Sequence, residues 1–204
     1  MQDYEQKNDY PIYEILDGKV TYMAPRPAMN HLSSMGNIHG MFYMYLKGKK
    51  CRVFADGGYI RLDKIKDIIL PDKNKKDRVI PDVMVVCNPD IIKPDGIYGA
   101  PDLVVEVLSP STAKNDRRIK KDIYELLGVK EYWIVSSQER TIEVYILTEG
   151  KYILNNTYHQ YADWEIEMIM DDETIEDKTI VTEFKTSIFD DLIISVDDVF
   201  DKLI

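Results

Sequence analysis

Asp82 and Glu106 are the residues whose surroundings point most directly to chemistry. Each is a carboxylate inside an otherwise apolar run, VIPDVMVVC around Asp82 and DLVVEVL around Glu106. Burying a carboxylate in such a run is costly unless something compensates it. A divalent cation is one compensation, since Mg²⁺ takes oxygen ligands and needs only one or two carboxylates beside water and substrate phosphate. The plainer alternative is an acid at a strand end, facing water or an arginine. If both runs are strands, Asp102, Val104, Glu106 and Leu108 share one face. Asp102 and Glu106 are then roughly 13 Å apart, too far to chelate one ion, and Asp102 is expected to be a turn or loop-end residue. Asp82 comes from a different strand and can lie beside Glu106, so these two form the expected ligand pair.

Lys120 falls on the segment that follows Glu106 and could lean back over the sheet. An ammonium there would orient a water nucleophile or offset charge on a phosphorane-like transition state. The spacing also fits a surface ion pair, because Asp116 and Lys120 stand at i,i+4 in the favourable order. Ser109, Ser111 and Thr112 surround a helix start, where free backbone N–H groups hold phosphate or where a hydroxyl simply caps the helix. His31, His39 and His159 have no metal-ligand spacing, and the chain contains no GxSxG, P-loop or GxGxxG. Two cysteines, Cys51 and Cys87, without CxxC or CxxH spacing argue against a disulfide framework and against a cysteine zinc site.

The elements that must position these residues are readable from patterning. Residues 12–24 hold Asp17-Gly18 between two apolar runs, which predicts a β-hairpin. Leu32, Met35, Ile38, Phe42, Tyr45 and Leu46 share one helical face, with a stop near Gly48. Residues 51–62 predict a strand bent at Gly57-Gly58, and 64–78 a polar loop. Strands are expected at 79–87 and 102–108, with Pro81 allowed only near a strand start. After Pro110, a helix capped by Ser111 or Thr112 is expected to run to about Leu127 and stop at Gly128, followed by a strand over 131–136. Strand, helix and strand in that order form a crossover unit and favour an α/β sheet. Residues 141–147 and 151–158 read as a meander, and Ser195 with Asp198 as the cap of a short last helix.

With 204 residues, the chain is long enough for one domain with a real core. No apolar run approaches the roughly 20 residues of a membrane helix, and the polar start MQDYEQKNDYP is no secretory signal. We therefore expect no membrane partner and a cytoplasmic protein. The net charge of −10 is unevenly spread: residues 162–204 carry −11 and the remainder +1. The expected organisation is a core domain over 1–161 and an acidic C-terminal appendage over 162–204. Lysines and arginines cluster at 47–52, 73–78 and 114–121. Such patches can meet nucleic-acid phosphates on an acidic protein, or can be ordinary solvated faces.

At this point the residues resemble a known family. The string GAPDLVVEVLSPST, followed by Asp116, Lys120 and Tyr124 and then GVKEYWIV, is similar to the Uma-two family of restriction-endonuclease-like proteins, itself similar to the PD-(D/E)XK nucleases. YEILDG, MAPRPAMNH and IPDVMVVC extend the likeness over about residues 12–155. The resemblance implies a mixed sheet flanked by helices, with acidic metal ligands on adjacent strands. Pro81-Asp82 matches the first element and Glu106 the acid of the second. Leu108 stands where the superfamily has lysine, and Lys120 matches the lysine that this family places on the following helix. Glu14 and His31 match further family positions. The implied activity is Mg²⁺- or Mn²⁺-dependent hydrolysis of phosphodiester bonds, with DNA as partner and a homodimer for cutting two strands. The rivals are a non-catalytic nucleic-acid-binding module and a self-associating protein that keeps the fold.

Overall fold

A computed structural model describes residues 13–16, 19–22, 27–65, 78–109, 113 and 116–204. Its centre is a six-stranded mixed sheet formed by β3 (Arg52–Ala55), β6 (Val83–Val86), β9 (Leu103–Val107), β10 (Glu131–Ser136), β11 (Thr141–Thr148) and β12 (Lys151–His159), neighbours in that order. The pair β9 and β10 is parallel, joined by the expected crossover, and the other neighbours are antiparallel. Every residue of β6, β9 and β10 is buried. These near-continuous apolar runs are what strands covered on both faces require.

One face of the sheet carries Val83, Val85, Leu103, Val105, Val107, Trp133 and Val135. Helix α1 (Met29–Leu46) lies on it through Ile38, Phe42 and Leu46, four residues apart and all buried. The helix ends as expected, with Gly48 at φ +80. The C-terminal segment completes this layer. Its elements are α3 (Asp163–Asp171), β13 (Glu183–Lys185), β14 (Ile193–Ser195) and the one-turn α4 (Val196–Val199). Phe184, Ile194, Val196, Val199 and Phe200 are buried in the same core as Trp133, and the Phe184 and Trp133 rings are 5.1 Å apart edge to face. Ser195 does cap α4, accepting from the Asp198 N–H.

Glu131 fastens this layer to the sheet. It is fully buried and accepts hydrogen bonds from Trp133 Nε1 and from the N–H and hydroxyl of Ser187, each at 2.6 Å. Burial still holds its carboxyl above the ordinary range, against those three donors. Glu131→Ala leaves a buried indole N–H and a half-buried backbone N–H without an acceptor. We expect a loss of about 2–4 kcal/mol in urea denaturation, and a loss under about 0.5 kcal/mol would show that water replaces the carboxylate.

The opposite face is covered by a second, smaller sheet and a helix. The small sheet runs β2 (Lys19–Tyr22), β1 (Tyr13–Leu16), β5 (Arg78–Val79), β4 (Ile60–Arg61), β8 (Gly96–Ile97) and β7 (Ile92–Lys93). It sends Ile60, Val79 and Ile97 against Met84, Val86 and Val104. The predicted hairpin is present, with Leu16 opposite Lys19; its turn, Asp17-Gly18, lies outside the described residues. Helix α2 (Lys121–Leu127) adds Ile123 and Tyr124 to this layer and ends at Gly128 in a left-handed conformation, φ +83.

Three expectations need correction. Residues 51–62 are not one bent strand. Asp56 and Gly57 adopt φ +42 and +89, turning the chain out of the central sheet, so that β3 and β4 belong to different sheets. The helix expected to run to about Leu127 is α-helical at Ala113 but widens to a π-helical turn over Asp116–Lys120 before α2. Cys51 and Cys87 form a disulfide. They flank β3 and β6 one step beyond the facing pair Arg52 and Val86, so strand register brings them together across 36 residues of sequence. Among the described residues, no helix is long and apolar enough to cross a membrane.

Candidate active site

Asp82 and Glu106 meet because the ladder between β6 and β9 places them there. Val83 faces Val105 in that antiparallel pair, and the next step of the same register sets Asp82 opposite Glu106, where facing Cα atoms are about 5 Å apart. Alternation then turns both side chains to the face that carries Met84 and Val104. The Val107 N–H donates to Asp82 Oδ2 at 2.7 Å, which pins that carboxylate against β9.

Lys120 reaches the same point from the π-helical turn. Its Nζ lies 3.0 and 3.1 Å from the two Glu106 oxygens, 2.9 Å from Glu14 Oε1, 3.5 Å from Asp116 Oδ1 and 3.4 Å from the Ile80 carbonyl. Its side chain is only 3% exposed, so the Asp116–Lys120 pair is a buried contact and not a surface one. Glu14 arrives from β1 and also accepts the Ile80 N–H at 2.9 Å. His31, in the first turn of α1, brings Nε2 to 3.5 Å from Asp82 Oδ1, and its Nδ1 is buried with no hydrogen-bond partner among the described residues.

Two further residues belong to this cluster. Asp116 is buried beside Lys120, and the Tyr124 hydroxyl donates to Glu106 Oε1 at 2.6 Å. Asp116, Lys120 and Tyr124 are spaced by four, a stripe visible in the sequence; spacing alone does not show that it faces inward. The Tyr132 hydroxyl donates to the Asp116 carbonyl and holds the π-helical turn in place. Two candidates stand apart. Asp102 accepts from the Cys87 N–H and from Lys130 Nζ, both at 2.7 Å, and so ties strand ends together as expected. Ser109 is half-buried, and its carbonyl accepts the Ala113 N–H. Ser111 and Thr112 lie outside the described residues.

The electrostatics follow from burial. Burial pushes Glu106 well above the usual carboxylate range; Lys120 opposes this, while Asp116, Asp82 and Glu14 add to it. Burial alone would lower Lys120, but the four carboxylates, Glu106 foremost, outweigh it and hold the ammonium well above its ordinary value. His31 is raised for the same reason, its burial overcome by Asp82 and Asp116. Carboxylates outnumber cations in the cluster, with Glu14, Asp82, Glu106 and Asp116 beside Lys120 and His31. The donors are hard oxygens, which suits Mg²⁺ or Mn²⁺. Among the described residues, no group of three or more His, Cys, Asp or Glu side chains is arranged to hold a metal ion. That is compatible with an ion that keeps several waters and takes few protein ligands.

The tyrosines behind the site carry a pH consequence. Tyr124, Tyr132 and Tyr152 pack ring to ring, and burial raises each phenol above its ordinary value. Unfolded tyrosines lose their proton near pH 10 and the folded ones keep it, so the native state binds more protons above that pH. Stability is therefore full below pH 10 and falls as pH rises, by about 1.4 kcal/mol per pH unit for each such tyrosine. Urea denaturation between pH 8 and 11 should show this decline; a flat profile would mean that the phenols are solvated.

Comparison with known proteins bears on the family and the fold. The family model described as "Uma2: Putative restriction endonuclease" matches residues 1–175. An uncharacterized protein of Synechocystis sp. (strain ATCC 27184 / PCC 6803 / Kazusa) is 30% identical over 134 residues. That match spans 65% of this chain and 65% of the relative's own length. The crystal structure of a putative nuclease belonging to DUF820, from Anabaena variabilis ATCC 29413, is similar with a TM-score of 0.62 at 16% identity. It covers 96% of this chain and 93% of that one, and it shows a shared mixed α+β fold.

Proposed function

From the premise that the chain belongs to the Uma2 restriction-endonuclease family, we propose that it is a metal-dependent endonuclease hydrolysing phosphodiester bonds in DNA, with its centre at Asp82, Glu106 and Lys120. The observation that carries this reading is a buried cluster in which Glu14, Glu106 and Asp116 meet Lys120 and Asp82 lies beside His31. A structural ion pair needs one carboxylate per ammonium. Three on one ammonium, with a fourth beside His31, are more than such a pair uses.

Asp82 and Glu106 would hold Mg²⁺ or Mn²⁺, and the bound ion would supply an acidified water and offset charge on the phosphate. The remaining roles fall to the chain itself. The Val107 N–H fixes the Asp82 carboxylate, and the Tyr124 hydroxyl and Lys120 fix that of Glu106. Lys120 is the one lysine among these acids, so it shares the developing charge or orients the attacking water. His31 Nε2, beside Asp82, is placed to move a proton at that edge of the site. One such centre per chain implies two copies for a double-strand cut, and we include a homodimer in the proposal.

Supercoiled plasmid and single-stranded DNA incubated with Mg²⁺ or Mn²⁺ test the reading. Nicking or linearisation that disappears with a chelator is expected. A folded protein that cuts neither substrate with either metal would sink it, and a non-catalytic role on the same fold would take its place.

A further inference from the structure

A cleft of about 460 Å³ is lined among others by Phe54, Tyr59, Arg61, Arg78, Met84 and Lys93. Its size suits a small organic ligand. Parts of its wall are bare backbone, at Gly57, Gly58 and Gly96. A Cβ at Gly58 would lie 2.5 Å from Met84 Cε; one at Gly96, where φ is +141, would lie 2.7 Å from the Tyr59 carbonyl oxygen. Backbone contact and conformation thus require glycine at Gly96, while at Gly58 a side chain would have to displace the end of Met84.

The lining is of two kinds. Phe54, Tyr59, Met84 and Ile97 supply flat or apolar surface. Arg78 holds its guanidinium over the Tyr59 ring, 4.3 Å from the centroid, and Lys93 is exposed at the rim. Arg61 is committed to Asp63 and Asp95 and serves as a rigid wall. A simple anion would not need the aromatic surface, and an apolar ligand would not need Arg78 and Lys93. A nucleotide needs both, a face for its base and cations for its phosphate.

Position joins the cleft to the site. Met84 follows Asp82 by two residues on the same face of the sheet, about 7 Å along the strand. Arg78 precedes by two residues Ile80, whose N–H meets Glu14 and whose carbonyl meets Lys120. We infer that this cleft is the subsite for a nucleotide flanking the scissile phosphate, with the base against Tyr59, Phe54 and Met84 and the phosphate on Arg78 and Lys93. Its place in catalysis rests on the nuclease reading; its capacity to bind does not.

The test is fluorescence anisotropy of a short fluorescein-labelled oligodeoxythymidylate on the full chain in EDTA, so that binding is read without turnover. Tyr59→Ala and Lys93→Glu should each weaken binding about tenfold or more, and Tyr59→Phe, which keeps the ring, should bind like wild type. Circular dichroism confirms that each variant is folded; Lys93 is exposed, so its variant keeps the test valid if Tyr59→Ala does not fold. No binding by wild type, or unchanged affinity in the folded variants, overturns the subsite even if plasmid is cut. Binding that depends on Tyr59 and Lys93 in a protein that cuts nothing would uphold the cleft and reject the nuclease.

Discussion

Asp82→Asn is expected to lower metal-dependent cleavage at least about a hundredfold, in line with the loss of one preorganised electrostatic group, while the protein stays folded. The amide is isosteric, and its oxygen can still accept the Val107 N–H that pins this side chain. What it loses is the negative charge that would bind a cation and face His31. Glu106→Gln should lose as much activity, but it is the less clean variant. Both Glu106 oxygens receive hydrogen bonds, from Lys120 and Tyr124, and an amide nitrogen would face one of those donors. Single-turnover nicking, with thermal melts beside it, separates the two effects. Wild-type rates in Asp82→Asn would remove this residue from the centre.

Lys120→Met should have the largest effect on stability, a loss of about 3–5 kcal/mol, the usual result of leaving buried charge without its partner. The side chains of Lys120, Glu14, Glu106 and Asp116 are all at most 4% exposed, so water cannot replace the ammonium cheaply. Had the lysine formed only the surface pair its spacing allows, the cost would be under about 1 kcal/mol. Guanidinium denaturation at pH 7 distinguishes these values. The double variant Lys120→Met with Glu106→Gln should recover part of the loss, because it removes one of the stranded charges. If the double variant is weaker than the single one by the full cost of Glu106→Gln, the pair does not interact, and the electrostatic account of the cluster is wrong.

Much of this centre is legible in the amino-acid sequence, for physical reasons that differ by residue. Asp82 and Glu106 stand out because apolar strands make charge conspicuous, and period-two alternation separates Glu106 from Asp102. Gly128 marks the end of α2 because left-handed backbone favours glycine. Lys120 is harder to read. A charged stripe at spacing four looks the same whether it faces solvent or core, and the likeness to a family, not periodicity, points it inward. The same ambiguity hides Asp116 and Tyr124. Glu131 sits in a strand as apolar as those of Asp82 and Glu106, yet its partners Trp133 and Ser187 make it a structural anchor. Pattern alone does not separate these cases. The Cys51–Cys87 bond and the split of β3 from β4 both depend on which strands pair, which a single sequence does not show. In residues 162–204 the acidic majority conceals the few apolar side chains that enter the core.

The two-faced burial of β9 and β10 has a bearing on how the protein can change. Glu106 looks to one side of the sheet, and Val105, Val107 and Trp133 look to the other, where α1 and the C-terminal elements lie. The sheet therefore works as a partition between a compartment that holds the carboxylate cluster and one that holds packing, crossed in the described residues by His31 at the start of α1. Mutational drift behind the partition can retune robustness while substrate choice stays constant. A library randomised at Phe184, Ile194 and Val199 should accordingly scatter in melting temperature far more than in cleavage pattern, and directed evolution of specificity should begin on the other side.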